Sequence, residues 1–210
     1  MLKTMPFYPR CSLRQTTIAL CCAISLAPLG ATAIEVGAKP EAQTEFLANL
    51  AALCGKAFAG KVIKGNASDD KMRSQQLVMH VRECSDQQVK IPFHVGEDRS
   101  RTWVFRQTVE GLQLKHDHRH QDGQPDKVTM YGGDTATVGT ANAQAFPADA
   151  ESKALFSAHQ MAVSNANTWL VEIVPGQYYR YGLTRPGREF MVEFDLTKPV
   201  TPPPAPWGQR

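Results

Sequence analysis

The 210-residue chain lacks the patterns that announce most enzymes. It has no Gly-x-Ser-x-Gly elbow, no His-Glu-x-x-His pair and no glycine-rich phosphate loop, so no catalytic residue can be named and a non-catalytic role is the simpler expectation. It also lacks a surplus of charge once its first 33 residues are set aside. Lys3, Arg10 and Arg14 are the charges of that segment, and beyond it 20 Lys and Arg balance 20 Asp and Glu. The pI of 8.6 therefore belongs to the start of the chain. No basic run is left to recruit nucleic acid, and no later apolar stretch is long enough to cross a bilayer.

Cysteine is scarce too. Of five, Cys11, Cys21 and Cys22 fall in the opening segment, leaving Cys54 and Cys84. That segment reads as a secretory signal over residues 1–33: a basic start, an apolar run from Thr16 to Leu29, and Ala31-Thr32-Ala33 as a small-x-small cleavage signal before Ile34. A lipid anchor on Cys21 or Cys22 is the alternative, but Leu20 and Cys21 precede them where a small residue is expected. Export to the periplasm or medium predicts a Cys54–Cys84 disulfide, against the rival of two thiolates joining histidines around a metal. The remainder suits one domain, residues 34–198, followed by a proline-rich extended tail over 199–210 that is mostly unpacked apart from Trp207. A monomer is expected.

What is present is mainly two-residue periodicity. One helix is predicted over Glu41 to Leu53, with Phe46, Leu47, Leu50 and Leu53 at helical spacing and Gly55 as the stop. Strands follow with Leu77, Met79 and Val81 alternating, then Val89, Ile91, Phe93 and Val95. Pro92 in the latter predicts an edge strand or a bulge. Glu97 to Arg101 reads as a solvated turn. A two-residue Glu110-Gly111 turn would set Phe105 opposite His116 and Trp103 opposite His118. Pairing His120 with Asp126 then places Val128 opposite His118 and Met130 opposite His116, with Tyr131-Gly132-Gly133 ending the strand. Residues 134–165 read as loop except for a short helix over Ala148 to Phe156. Trp169 to Val174 is a strand, and across the Arg185-Pro186-Gly187-Arg188 loop Leu183 meets Phe190, Tyr181 meets Val192 and Arg180 meets Glu193. In total eight to ten antiparallel strands predict an all-β barrel with one N-terminal helix, a two-sheet sandwich being the alternative.

His116, His118 and His120 alternate in one strand and so share a face. Neighbours on a face stand about 7 Å apart, whereas two imidazole nitrogens on one ion lie within roughly 4 Å. One ion cannot take all three from a straight strand. Two of them with a ligand from elsewhere could hold a metal or haem. Otherwise they orient a ligand or sit bonded in the core. Asp117 points to the opposite face, His80 and His94 fall on the polar phase of their strands, and His159 is unplaced. The candidate ligand-binding set is Trp103, Phe105, His116, His118 and Met130.

The N-terminal helix followed by a meander of hairpins resembles the lipocalin and wider calycin group, although Gly55-Lys56-Ala57-Phe58 departs from that group's Gly-x-Trp opening. The resemblance implies a small apolar ligand inside the barrel. The Leu114-to-Gly123 segment, Leu-Lys-His-Asp-His-Arg-His-x-Asp-Gly, is also similar to exported proteins of Gram-negative bacteria and supplies no activity. The expected function is non-catalytic binding of a small, partly apolar ligand, with metal or haem binding and an envelope interaction module as alternatives. No cofactor is specified.

Overall fold

Alternation of inward apolar and outward polar side chains builds the molecule, because a strand with one oily face must bury it against others like it. A computed structural model describes residues 40–209. The export segment expected over 1–33 lies outside the described residues. The chain opens with helix α1 (Glu41–Ala51) and strand β1 (Ala57–Lys64). A 3-10 turn (Ala67–Asp69) and the short helix α2 (Asp70–Arg73) lead into β2 (Leu77–His80), β3 (Glu83–Cys84), β4 (Gln88–Val95), β5 (Asp98–Gln107) and β6 (Leu112–His118). Then come β7 (Tyr131–Asp134), β8 (Ala143–Pro147), helix α3 (Ala150–Ala158), a second 3-10 turn (Ala162–Ala166), β9 (Thr168–Val174), β10 (Tyr178–Arg185) and β11 (Arg188–Val200).

All the strands are antiparallel neighbours in one sheet, ordered β7-β6-β5-β4-β2-β1-β11-β10-β9-β8, with β3 beside β4. The sheet curls until its end strands β7 and β8 touch, giving a nearly closed barrel. They touch without a ladder, and Gly133 makes the approach possible, while Gly132 lets β7 close onto β6. A Cβ on Gly133 would stand 1.8 Å from the Pro147 carbonyl oxygen, and one on Gly132 1.8 Å from that of Leu114. Helix α3 clamps the same place. Ser152 Oγ accepts from the Gly132 N–H at 2.7 Å and donates to its carbonyl at 2.9 Å. Asp149 caps α3 by accepting from the Ser152 N–H, and it also binds the buried Lys115 ammonium of β6 at 2.8 Å.

Helix α1 closes one end. Its Phe46 meets Phe105 edge-on at 6.4 Å, and Gln43 donates to Thr135 beyond β7. It stops at Ala51 rather than Leu53, and the disulfide between Cys54 and Cys84 ties its far end to β3. Pro92 is in an interior strand, not at an edge: β4 pairs with β2 up to Phe93 and with β3 from Lys90, so Pro92 falls opposite the break between the two.

The β10–β11 hairpin has the expected register, with Leu183 against Phe190, Tyr181 against Val192 and Arg180 against Glu193. The β5–β6 register differs by two residues: Trp103 pairs with His116, Arg101 with His118 and Phe105 with Leu114. The cause is a longer connection. Thr108 donates its N–H to the Gly111 carbonyl, its hydroxyl accepts from the Glu110 N–H, and Gly111 takes φ 144°. A slip of two residues conserves which face each side chain takes. Opposite β6, the partner of His116 is Tyr131, not Met130, because residues 121–130 form an irregular loop and β7 begins only where the Tyr-Gly-Gly run was read as a strand end. Strand β8 lies in the span read as loop. The tail runs extended and exposed past Val200, then docks: the Trp207 N–H bonds the Arg99 carbonyl, and Pro206 is buried.

Candidate functional site

Following β5 and β6 away from α1, the filled core gives way to space. Phe105, Leu112 and Leu114 are fully buried near the helix. One step on, Trp103, Arg101, His116 and His118 line a cavity of about 440 Å³ that opens between β5, β6, β10 and the second 3-10 turn. Tyr131, Phe156, Trp169, Tyr181 and Phe190 complete its aromatic wall.

The rings are arranged in register with the strands that carry them. Trp103 is stacked between Phe93 at 4.8 Å and Tyr181 at 4.3 Å. His116 lies against Tyr131 at 4.8 Å, nearly parallel, with Trp169 at 4.9 Å on it as well. Such stacking fixes ring planes beyond what apolar burial alone would do.

His116 has no spare nitrogen. A carbonyl oxygen only accepts, so its Nδ1 carries the proton and donates to the Tyr131 carbonyl at 3.0 Å. Nε2 is then a lone pair, and it accepts from the Tyr181 hydroxyl at 2.7 Å. Burial penalises the imidazolium and pushes the His116 pKa down to about 3, against the pull of the Tyr131 carbonyl. His118 is the partner of the Tyr131 hydroxyl at 3.0 Å. Burial and then the Arg101 guanidinium lower it to about 4. Burial pushes the Tyr131 phenol up to about 12. At neutral pH the site therefore holds neutral imidazoles and neutral phenols, each orienting the other.

Charged groups border the cavity as well. Arg101 binds Asp98 at 2.6 Å, and Arg188 grips Asp69 through two bonds of 2.6 and 2.7 Å. Both pairs began as residues with no assigned role, Asp98 and Arg101 having been read as a solvated turn; they are in β5 instead. Arg185 also lines the cavity, and its partner is the neutral Asn167 amide oxygen at 3.0 Å.

Of the five ligand candidates from sequence, Trp103, His116 and His118 border the cavity. Phe105 is packed away between Phe46 and Phe146. Met130 precedes β7 with φ 55° and is not in the cavity wall. The three strand histidines do not converge. His120 is mostly exposed, 3.8 Å from Asp126. Among the described residues no three His, Cys, Asp or Glu side chains are grouped so as to hold a metal, and Cys54 and Cys84 are spent on each other. Asp117 faces outward to Arg119, as its phase requires. His80 and His94 share the outer face yet are buried; burial first, then nearby Arg82, lowers His80, and burial with His80 and Arg99 takes His94 to about 4. Sequence reasoning missed Tyr131, Trp169 and Tyr181. The last two stand on the inward phase of their strands, and that phase was the available signal. No family model, curated protein or solved structure matches the chain.

Proposed function

We propose that the protein is an exported, non-catalytic binding protein that holds a small, partly apolar molecule in the open end of its barrel. The observation that carries this reading is the aromatic cavity of about 440 Å³ beside an otherwise filled core. Its size is within the roughly 300–1,000 Å³ of small-molecule sites, and such sites are mostly apolar with a few placed polar groups. Neutral hydroxyls and imidazoles supply those groups. The histidines serve the phenols rather than a reacting proton, since both nitrogens of His116 are already bonded. Export is supported by the disulfide, a bond that persists in oxidising compartments.

The test uses the neutral dye N-phenyl-1-naphthylamine, whose emission rises when it leaves water. Saturable one-to-one binding is expected, with energy transfer from Trp103 and Trp169. Val128→Trp, which fills the cavity wall, should abolish it while circular dichroism stays unchanged. Absence of saturable binding, or equal binding by the filled variant, overturns the reading.

A further inference from the structure

One corner of the cavity holds hydrogen-bond donors that exceed the acceptors the protein supplies there. Three arginines border the space, and two are neutralised: Arg101 by Asp98 and Arg188 by Asp69. Arg185 is different. It stands at the end of β10, one Nη donates to Asn167 Oδ1 at 3.0 Å, and among the described residues no carboxylate lies within ion-pair distance of it. The oxygen of Asn167 being so used, its amide nitrogen remains as a donor with no acceptor among the described residues. Ser164, three residues earlier, also lines the cavity and is buried; its carbonyl accepts from the Asn167 N–H at 3.1 Å, while its hydroxyl has no partner among the described residues. Guanidinium, amide and hydroxyl thus face one space in a half-closed apolar setting. Asp126, the wall's other carboxylate, is on the His118 side, where it accepts from the Val128 N–H.

Donors without acceptors in a partly buried place call for a group that only accepts. A carboxylate or sulfonate is such a group, and a guanidinium binds it through paired N–H donors. We infer that the ligand is a planar ring compound bearing one acidic group, its rings laid against the aromatic wall of the cavity and its anion on Arg185, Asn167 and Ser164. This inference rests on the binding reading above and adds the ligand's chemical class to it.

Two dyes with the same ring system separate the two ideas. 8-Anilino-1-naphthalenesulfonate is N-phenyl-1-naphthylamine with a sulfonate added. The intact protein should bind the sulfonate at least about tenfold more tightly, a typical return for one charge-assisted pair. Arg185→Gln should erase that preference while the neutral dye still binds, which also reports that the variant is folded. Arg185→Lys should keep most of the preference. Ser164→Ala, which removes no charge, should weaken the sulfonate alone by a few fold. Equal binding of the two dyes by the intact protein, or equal weakening of both by Arg185→Gln, overturns the acid subsite while binding of the neutral dye leaves the cavity reading standing. If neither dye binds, both fall together.

Discussion

At His116, taking up a proton means reversing a bond. Its Nε2 accepts from Tyr181, and a protonated ring has no lone pair to offer there. The unfolded chain protonates this imidazole near its ordinary value of 6.5, the folded chain only near 3. Between those values the unfolded state holds more protons, so stability falls as pH falls. The slope is about 1.4 kcal/mol per pH unit for one such group. His118 and His94 add to it down to about pH 4, above the range in which the lowered carboxyls of Asp69 and Asp98 begin to count. Urea unfolding followed between about pH 6.5 and 4.5 should show this loss, and His116→Gln, which keeps a donor and an acceptor, should make it shallower by about one proton's worth. An unchanged slope would contradict the assigned bonds. That His116 and His118 share a face with Trp103 was legible from the two-residue period and an assumed hairpin, because a slip of two residues keeps the face. The identity of the hydroxyl on His116 was not, because Tyr181 lies 65 residues away and only closure of the barrel brings it near.

At the level of elements, local chemistry decided what could be read. The β10–β11 hairpin was legible because a Pro-Gly turn, an inward apolar phase and the Arg180–Glu193 pair all require one register. The β5–β6 register was two residues off because Thr108, whose hydroxyl caps the turn, reads in sequence like any strand threonine. Strand β8, Ala-Gln-Ala-Phe-Pro, escaped because it has no β-branched residue and only Phe146 to mark its inner face. Two substitutions follow from contacts between elements. Gly133→Ala puts a methyl into the Pro147 carbonyl and should force β7 from β8, costing about 2–3 kcal/mol in chemical denaturation. A near-neutral result would mean that the strands do not meet as described. Serine at both Cys54 and Cys84 removes a link across 30 residues and should lower stability by roughly 3–4 kcal/mol without altering the folded barrel's circular dichroism. A loss under about 1 kcal/mol would mean that the unfolded chain is little constrained by the bond.

Across the whole molecule, the count of strands and their one-faced patterns pointed to an all-β barrel, and the sheet order bears this out. What could not be read in advance was where the barrel stops being continuous. Pairing rules operate between neighbours along the chain, while the ends of the sheet meet through glycine backbones and a helix cap. The cavity has the same origin, since it lies where α1 does not reach and where side chains from β5, β6, β9 and β10 converge.

Strand β7 is laddered to β6 on one side only, yet it carries Tyr131, a wall of the cavity. The part of the barrel most easily unlatched is therefore also part of the proposed ligand's seat. A guest pressing on Tyr131 would hold the latch shut, adding RT ln(1 + [L]/Kd), about 2.7 kcal/mol at a hundredfold excess over Kd. Hydrogen exchange with N-phenyl-1-naphthylamine bound should slow more at residues 131–134 than in β1, which lines no part of the cavity. Uniform slowing would separate occupancy from closure. If the seat and the latch are one strand, the protein's guest is also its fastener.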